Sequence, residues 1–151
     1  MKQFCVGFRE GVLKQLINIY KYHSVRAVSY ELAELLGEIL DDDYCLVPLP
    51  TIRRHVRQRG FDHVGLMCRR TGLEVEKVLK RCKNTVQVGA DNETRQKQAA
   101  VAYEAVNVDP ERKYLLVDDV WTTGSSMLAA CEKMRLAGSK NLAIAVIARS
   151  K

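Results

Sequence analysis

An α/β fold with a mainly parallel sheet flanked by helices is what this 151-residue sequence predicts, and three observations carry the prediction. First, "KYLLV" at 113–117 reads as a strand and is followed by helical spacing over 125–137. Second, "NLAIAVIA" at 141–148 is apolar without alternation, as in a strand covered on both faces. Strand, helix and strand in that order predict a right-handed βαβ unit. Third, 47% hydrophobic and 28% charged residues are ordinary globular composition, so one domain over 1–151 is expected.

The chain is expected to open with a helical lead-in over 1–43. Val12, Leu13, Leu16, Ile17 and Tyr20 give a helix over 10–22, and Leu32, Leu35, Leu36 and Ile39 give a second over 29–40. Tyr20 and Tyr22 are read as packing residues. After the Asp41-Asp42-Asp43 turn, "YCLVPLP" reads as a short strand closed by prolines, whose end meets the cationic stretch "TIRRHVRQRGFDH". Helical spacing resumes over 62–70, Thr71-Gly72 ends it, and 75–79 forms a second short strand. The polar stretch at 81–106 has little periodicity and reads as a long excursion or loose hairpin. Its mobile part is set at 84–106, since structureless segments of this length are usually functional or disordered. In the last helix Met127, Leu128, Cys131 and Met134 are expected to face inward, and Gly138 supplies the stop.

Lys and Arg number 24 against 18 Asp and Glu, a net charge of +6 that favours an anionic partner without choosing its kind. Cysteines 5, 45, 68, 82 and 131 are odd in number and lack any C-x-x-C spacing, so neither a disulfide framework nor a zinc site is indicated. A reducing cytoplasm fits them best. No apolar run approaches the ~20 residues of a membrane-spanning helix, so no membrane partner is expected.

The chemistry concentrates in "YLLVDDVWTTGSSM". In an open parallel sheet, ligands bind beyond the carboxyl ends of the strands, where Asp118, Asp119 and the next loop are expected. Gly124 permits an unusual backbone angle, and the helix start after it offers amides without internal partners. With the hydroxyls of Thr122, Thr123, Ser125 and Ser126, these form a cradle for a phosphate dianion. Taken alone, the loop is equally an ordinary Ser/Thr-capped helix start, and the acids a solvated turn. Together they raise a conflict, because two neighbouring carboxylates repel phosphate. A sugar phosphate resolves it: neighbouring ribose hydroxyls donate to the acids while the 5′-phosphate lies in the loop. Gly124 is not followed by the Lys-Ser/Thr of a P-loop, and no G-x-G-x-x-G is present.

Residues 115–126 resemble the phosphoribosyl-pyrophosphate motif of type I phosphoribosyltransferases, with Trp121 bulkier than usual and Ser126 in place of a common Thr. The stretch "VPLPTIRRHVRQRGFDHVGLM" is similar to the signature of ComF-like members of that family, R-x-R-G-F-N-Q before a helix. Arg57, Arg59, Gly60 and Phe61 match it, while Asp62 and His63 stand where Asn and Gln are usual. The upstream "GVLKQLINIYKYHSVRAVSYELAELL" is similar to the family's helical lead-in. "RQKQAAV" followed by Asn107 looks like a shortened flexible-loop pattern without its usual arginine. Many ComF-like proteins begin with a four-cysteine zinc module that this chain lacks, so no structural zinc is expected.

The resemblance implies a type I phosphoribosyltransferase-like fold and transfer of the phosphoribosyl group from phosphoribosyl pyrophosphate to an acceptor, with release of pyrophosphate. It implies Mg²⁺ bound mainly through substrate oxygens. Asp118 and Asp119 would hold the ribose and steady its developing positive charge, and one would take a proton from the nucleophile. Arg offers planar donors that stay protonated, so Arg53, Arg54, Arg57 and Arg59 are candidates for pyrophosphate, as are Arg95 and Lys97 in the excursion. For each of them a solvated surface charge is the alternative. His55 and His63 are read as surface or helix-start residues rather than bases, because nothing in the sequence orients a partner for either. The rival reading is a ComF-like component of DNA uptake that keeps the fold and pocket without turnover. The charge leaves nucleic-acid contact open, but no aromatic platform or recognition helix favours it. The acceptor is open, and a homodimer is common among related enzymes.

Overall fold

The structure of the chain, a computed structural model, describes residues 1–41, 43–82, 91, 93 and 102–151. At its centre β5 (Lys113–Trp121) pairs with β6 (Asn141–Arg149), and the outer strands are β1 (Gln3–Phe8) beside β6 and β2 (Cys45–Pro48) beside β5. The order is β1-β6-β5-β2 with every pairing parallel, so this is an α/β fold whose parallel sheet is flanked by helices. The helices are α1 (Gly11–Tyr22), α2 (Val28–Glu38), α3 (Arg53–Arg59), α4 (His63–Arg70) and α5 (Ser125–Leu136). A separate antiparallel pair joins β3 (Leu79–Arg81) to β4 (Tyr103–Ala105).

Side chains alternate across a strand, so the two faces of β5 build two cores. Leu115 and Val117 pack with Ile17 and Tyr20 of α1, Leu32 and Leu36 of α2, and Val64 and Met67 of α4. Tyr114 and Leu116 face the other way, onto Met127, Ala130, Cys131 and Met134 of α5 and onto Leu79 and Tyr103. Burying each large apolar side chain is worth about 1.5–3 kcal/mol, which explains why β6, apolar from Leu142 to Ala148, occupies the middle of the sheet.

Several expectations need correcting. The chain opens with β1, not with a helix. A six-residue edge strand that includes Gly7 carries too short an alternation to be read. The cationic stretch is helical over Arg53–Arg59 and is stopped by Gly60, whose φ of 85° is left-handed. Residues 75–79 are not a strand: Val75 makes one parallel bridge to Leu46, and pairing resumes only at Leu79. β5 runs on to Trp121, so both acids lie within the strand rather than after it. Leu128 is 53% exposed, because the buried stripe of α5 takes positions 127, 130, 131 and 134 and leaves 128 on the flank. Of the expected excursion at 84–106, β4 anchors the end; residues 84–90, 92 and 94–101, including Arg95 and Lys97, lie outside the described residues. No helix among the described residues is long and apolar enough to cross a membrane.

Candidate functional site

A cleft of about 340 Å³ opens at the carboxyl edge of the sheet. Its floor is the end of β5, because β2 stops pairing at Val117 and leaves Asp118 and Asp119 uncovered on that side. Thr122 and Ser126 border it from the loop, Pro50, Thr51 and Ile52 from the segment after β2, and Arg81 and Tyr103 from the antiparallel pair. Both ends of α1 reach it as well, through Arg9 just before the helix and Lys21 and Tyr22 at its end. A neighbouring hollow of about 50 Å³ is bounded by Asp118 and residues 120–126.

The loop from Thr122 to Ser126 has the local geometry its sequence suggests. Gly124 takes a left-handed φ of 78°, and a Cβ there would overlap the Trp121 ring. The bulky Trp121 therefore serves as the wall against which the glycine is pressed. Thr123 Oγ1 lies 2.9 Å from Ser125 Oγ and accepts weakly from the Ser125 amide, and the N-cap residue of α5 has no side-chain cap. A helix of twelve residues thus begins at the cleft with its positive end directed there.

The two acids are not equivalent. Alternation along β5 puts Asp119 on the face of Leu115 and Val117 and Asp118 on the face of Leu116. Asp119 Oδ1 accepts from the Val120 amide at 2.8 Å, and its Oδ2 lies 2.8 Å from Lys21 Nζ and 3.1 Å from His63 Nε2. Burial alone would push Asp119 up, but the His63 hydrogen bond and the Lys21 charge outweigh it and hold the carboxyl below the usual range. Asp118 Oδ1 accepts the Asp119 amide at 2.9 Å. Burial, then the Asp119 charge, raises Asp118 well above an ordinary carboxyl. The mutual repulsion of the acid pair is therefore met inside the protein, by a lysine on one acid and by a raised hold on its proton at the other.

His63 corrects its expected role. It does start a helix, with Asp62 accepting from the Gly65 amide as N-cap, but it is 4% exposed rather than a surface residue. Its Nδ1 lies 2.7 Å from Arg59 Nη1. A guanidinium only donates, so Nδ1 must accept and the ring hydrogen sits on Nε2, facing Asp119. Arg59 is fixed in turn by donating its Nε to the Lys21 carbonyl at 2.7 Å. Tyr20 is buried as expected and its hydroxyl donates to the His63 carbonyl at 2.5 Å, whereas Tyr22, expected to pack, is 65% exposed at the rim.

Of the candidate pyrophosphate residues, Arg59 lines the cleft, although its guanidinium already serves His63. Arg53 and Arg54 are exposed and face an adjoining hollow of about 430 Å³ with Lys80 and Arg81. Arg57 is exposed on α3. His55 borders the cleft, where burial and then the charges of Arg54, Arg59, Lys21 and Arg81 press its pKa below the ordinary histidine value. Sequence reasoning missed Arg9, Lys21, Arg81 and Tyr103. Tyr103 is buried and its hydroxyl accepts from Arg81 at 3.4 Å. The signals for Lys21 were a charge beside Tyr20 at the end of an apolar stripe and the lysine-aromatic step, Lys21-Tyr22, of the lead-in that resembles the family's. No family model and no curated protein matches this chain.

Proposed function

We propose that the chain is a phosphoribosyltransferase-type protein of the ComF-like kind, with a type I phosphoribosyltransferase-like fold. It binds phosphoribosyl pyrophosphate with Mg²⁺ and transfers the phosphoribosyl group to an acceptor, releasing pyrophosphate. One observation carries the reading: an acid pair at a strand end and an amide-rich helix start border the same cleft, with Asp118, Thr122 and Ser126 shared between it and the adjoining hollow. A phosphate at the start of α5 meets free amides and the helix dipole, and a ribose beside it meets the acids.

Asp119 Oδ2 is already taken by Lys21 and His63, and Asp118 Oδ1 by an amide, so the pair offers few open oxygens for a protein cage. That fits Mg²⁺ carried by pyrophosphate and ribose oxygens, where it neutralises charge on the leaving group. The chain's own part is to bind and orient. Residues 122–126 fix the phosphate, the acid pair fixes the sugar, and Arg59 and Arg81 bring positive charge to the leaving group.

Pocket retention without turnover is the second reading. It is favoured by the occupation of Asp119 in the protein itself and by the exposure of Arg53 and Arg57. Calorimetric titration with phosphoribosyl pyrophosphate and Mg²⁺ tests the site. Binding by the wild type is expected to weaken roughly 100-fold in Asp118→Asn/Asp119→Asn, for two hydrogen bonds to charged groups. Unaltered affinity removes the acids from the site. Pyrophosphate release in the presence of acceptor candidates then separates turnover from binding alone.

A further inference from the structure

We propose that the two acids do different work: His63, held in one tautomer between Arg59 and Asp119, keeps Asp119 as a fixed carboxylate anchor, and Asp118 is the member that receives the ligand's hydroxyl. The inference rests on the phosphoribosyl reading for the identity of the hydroxyl, and on geometry for the rest.

A carboxylate has about four acceptor positions, and Asp119 uses three of them on the Val120 amide, Lys21 and His63. All three donors come from the protein, and two of them reach it from the α1 and α4 side of the sheet. Asp118, on the opposite face, takes one amide on Oδ1, shares a hydrogen bond with the Asp119 carboxyl and borders both the cleft and the smaller hollow, while Asp119 borders the cleft alone. A sugar hydroxyl next to a phosphate held by residues 122–126 therefore meets Asp118 first. A neighbouring pair of like acids would otherwise compete for the same proton and the same ligand.

His63 acts through Asp119, so it is a positioning residue. The relay runs in one direction, because Arg59 has only donors: Arg59 donates to Nδ1, and Nε2–H donates to Asp119. Arg59 Nε bonds the carbonyl of Lys21, the residue whose Nζ pairs with the same carboxylate. The end of α1, the end of α3 and the start of α4 are thus tied to one oxygen of Asp119. With its charge matched by Lys21, Asp119 adds little repulsion toward a phosphate, and the charge of Arg59 remains for the ligand.

The test has one readout without ligand and one with it. Nitrogen-resolved NMR of the imidazole in the wild type is expected to show hydrogen on Nε2 and none on Nδ1. Hydrogen on Nδ1 in the wild type overturns the relay, whatever the protein binds. Titration with phosphoribosyl pyrophosphate and Mg²⁺ is then run on Asp118→Asn, His63→Leu and His63→Gln. Above about pH 8, where the native Asp118 carboxyl is ionised, Asp118→Asn is expected to weaken binding roughly 10- to 100-fold. His63→Leu is expected to weaken it about tenfold, and His63→Gln, whose amide can still donate to Asp119, to restore it. Wild-type affinity in Asp118→Asn or in His63→Leu overturns the division of work. A wild type with the expected tautomer and no heat of binding rejects the phosphoribosyl reading, and the ligand half of this inference with it, while the Asp119 anchor stands.

Discussion

Asp119 and Lys21 form the ion pair on which the site's chemistry turns, and the pair is lopsided: the aspartate side chain is 8% exposed and the lysine 26%. Removing the more exposed partner leaves a charge that water reaches poorly, with His63 as its remaining side-chain donor. Lys21→Met keeps the aliphatic stem and deletes the charge. It is expected to lower stability by about 1–3 kcal/mol, the range for a hydrogen bond to a charged group. Urea unfolding at neutral pH measures it, and Lys21→Arg is expected to recover part of the loss. An unchanged midpoint for Lys21→Met would show the pair to be a solvated surface contact.

The loop between β5 and α5 would form the phosphate end of the proposed site, and Gly124 is where it has no room for a side chain. Its left-handed φ and the Trp121 ring pressed against it both exclude a side chain. Gly124→Ala is expected to cost about 1–3 kcal/mol in strain and to abolish the titration heat with phosphoribosyl pyrophosphate, because the helix start must shift. A variant that binds normally would show that the loop adapts. This loop was legible in the sequence because everything it needs is local: an apolar strand, two acids, a glycine and hydroxyls within fourteen residues. β6 and α5 were legible for the same reason, and the reach of β5 to Trp121 was not, because acids at positions 118 and 119 look like the end of a strand. β1 was hidden because its pairing with β6 joins residues more than 130 apart, and α3 because seven residues with four arginines carry no apolar stripe. Lys21, Arg9 and Arg81 come to the cleft from elements distant in sequence, so only the fold brings them together. His63 was recognised as a helix start, yet its burial depends on Arg59 and Asp119 arriving from α3 and β5.

Across the whole molecule, the acid pair makes stability depend on pH in two opposing ways. Asp118 is pushed up to about 8 from an ordinary value of 3.8, by burial first and by the Asp119 charge second. Between those values the folded chain holds a proton that the unfolded chain has lost, so this group makes stability fall as pH rises from about 4 to about 8. Asp119 is depressed below the same ordinary value. Its contribution is present above 3.8 and is lost as pH falls through the depressed folded value, so it governs only the acid limb. Asp118→Asn mimics the protonated acid at every pH and removes the first effect alone. Thermal unfolding without ligand is therefore expected to show the variant gaining on the wild type between pH 5 and pH 8. Each kcal/mol of that gain corresponds to about 2–4 °C in Tm for a chain of this size. The gain begins as the unfolded carboxyl ionises near 3.8 and stops growing above about pH 8, where the native carboxyl ionises as well. Parallel Tm curves for the two proteins over that interval would mean that Asp118 ionises as a solvated acid does. The retained proton would then have no part in easing the repulsion between the two acids.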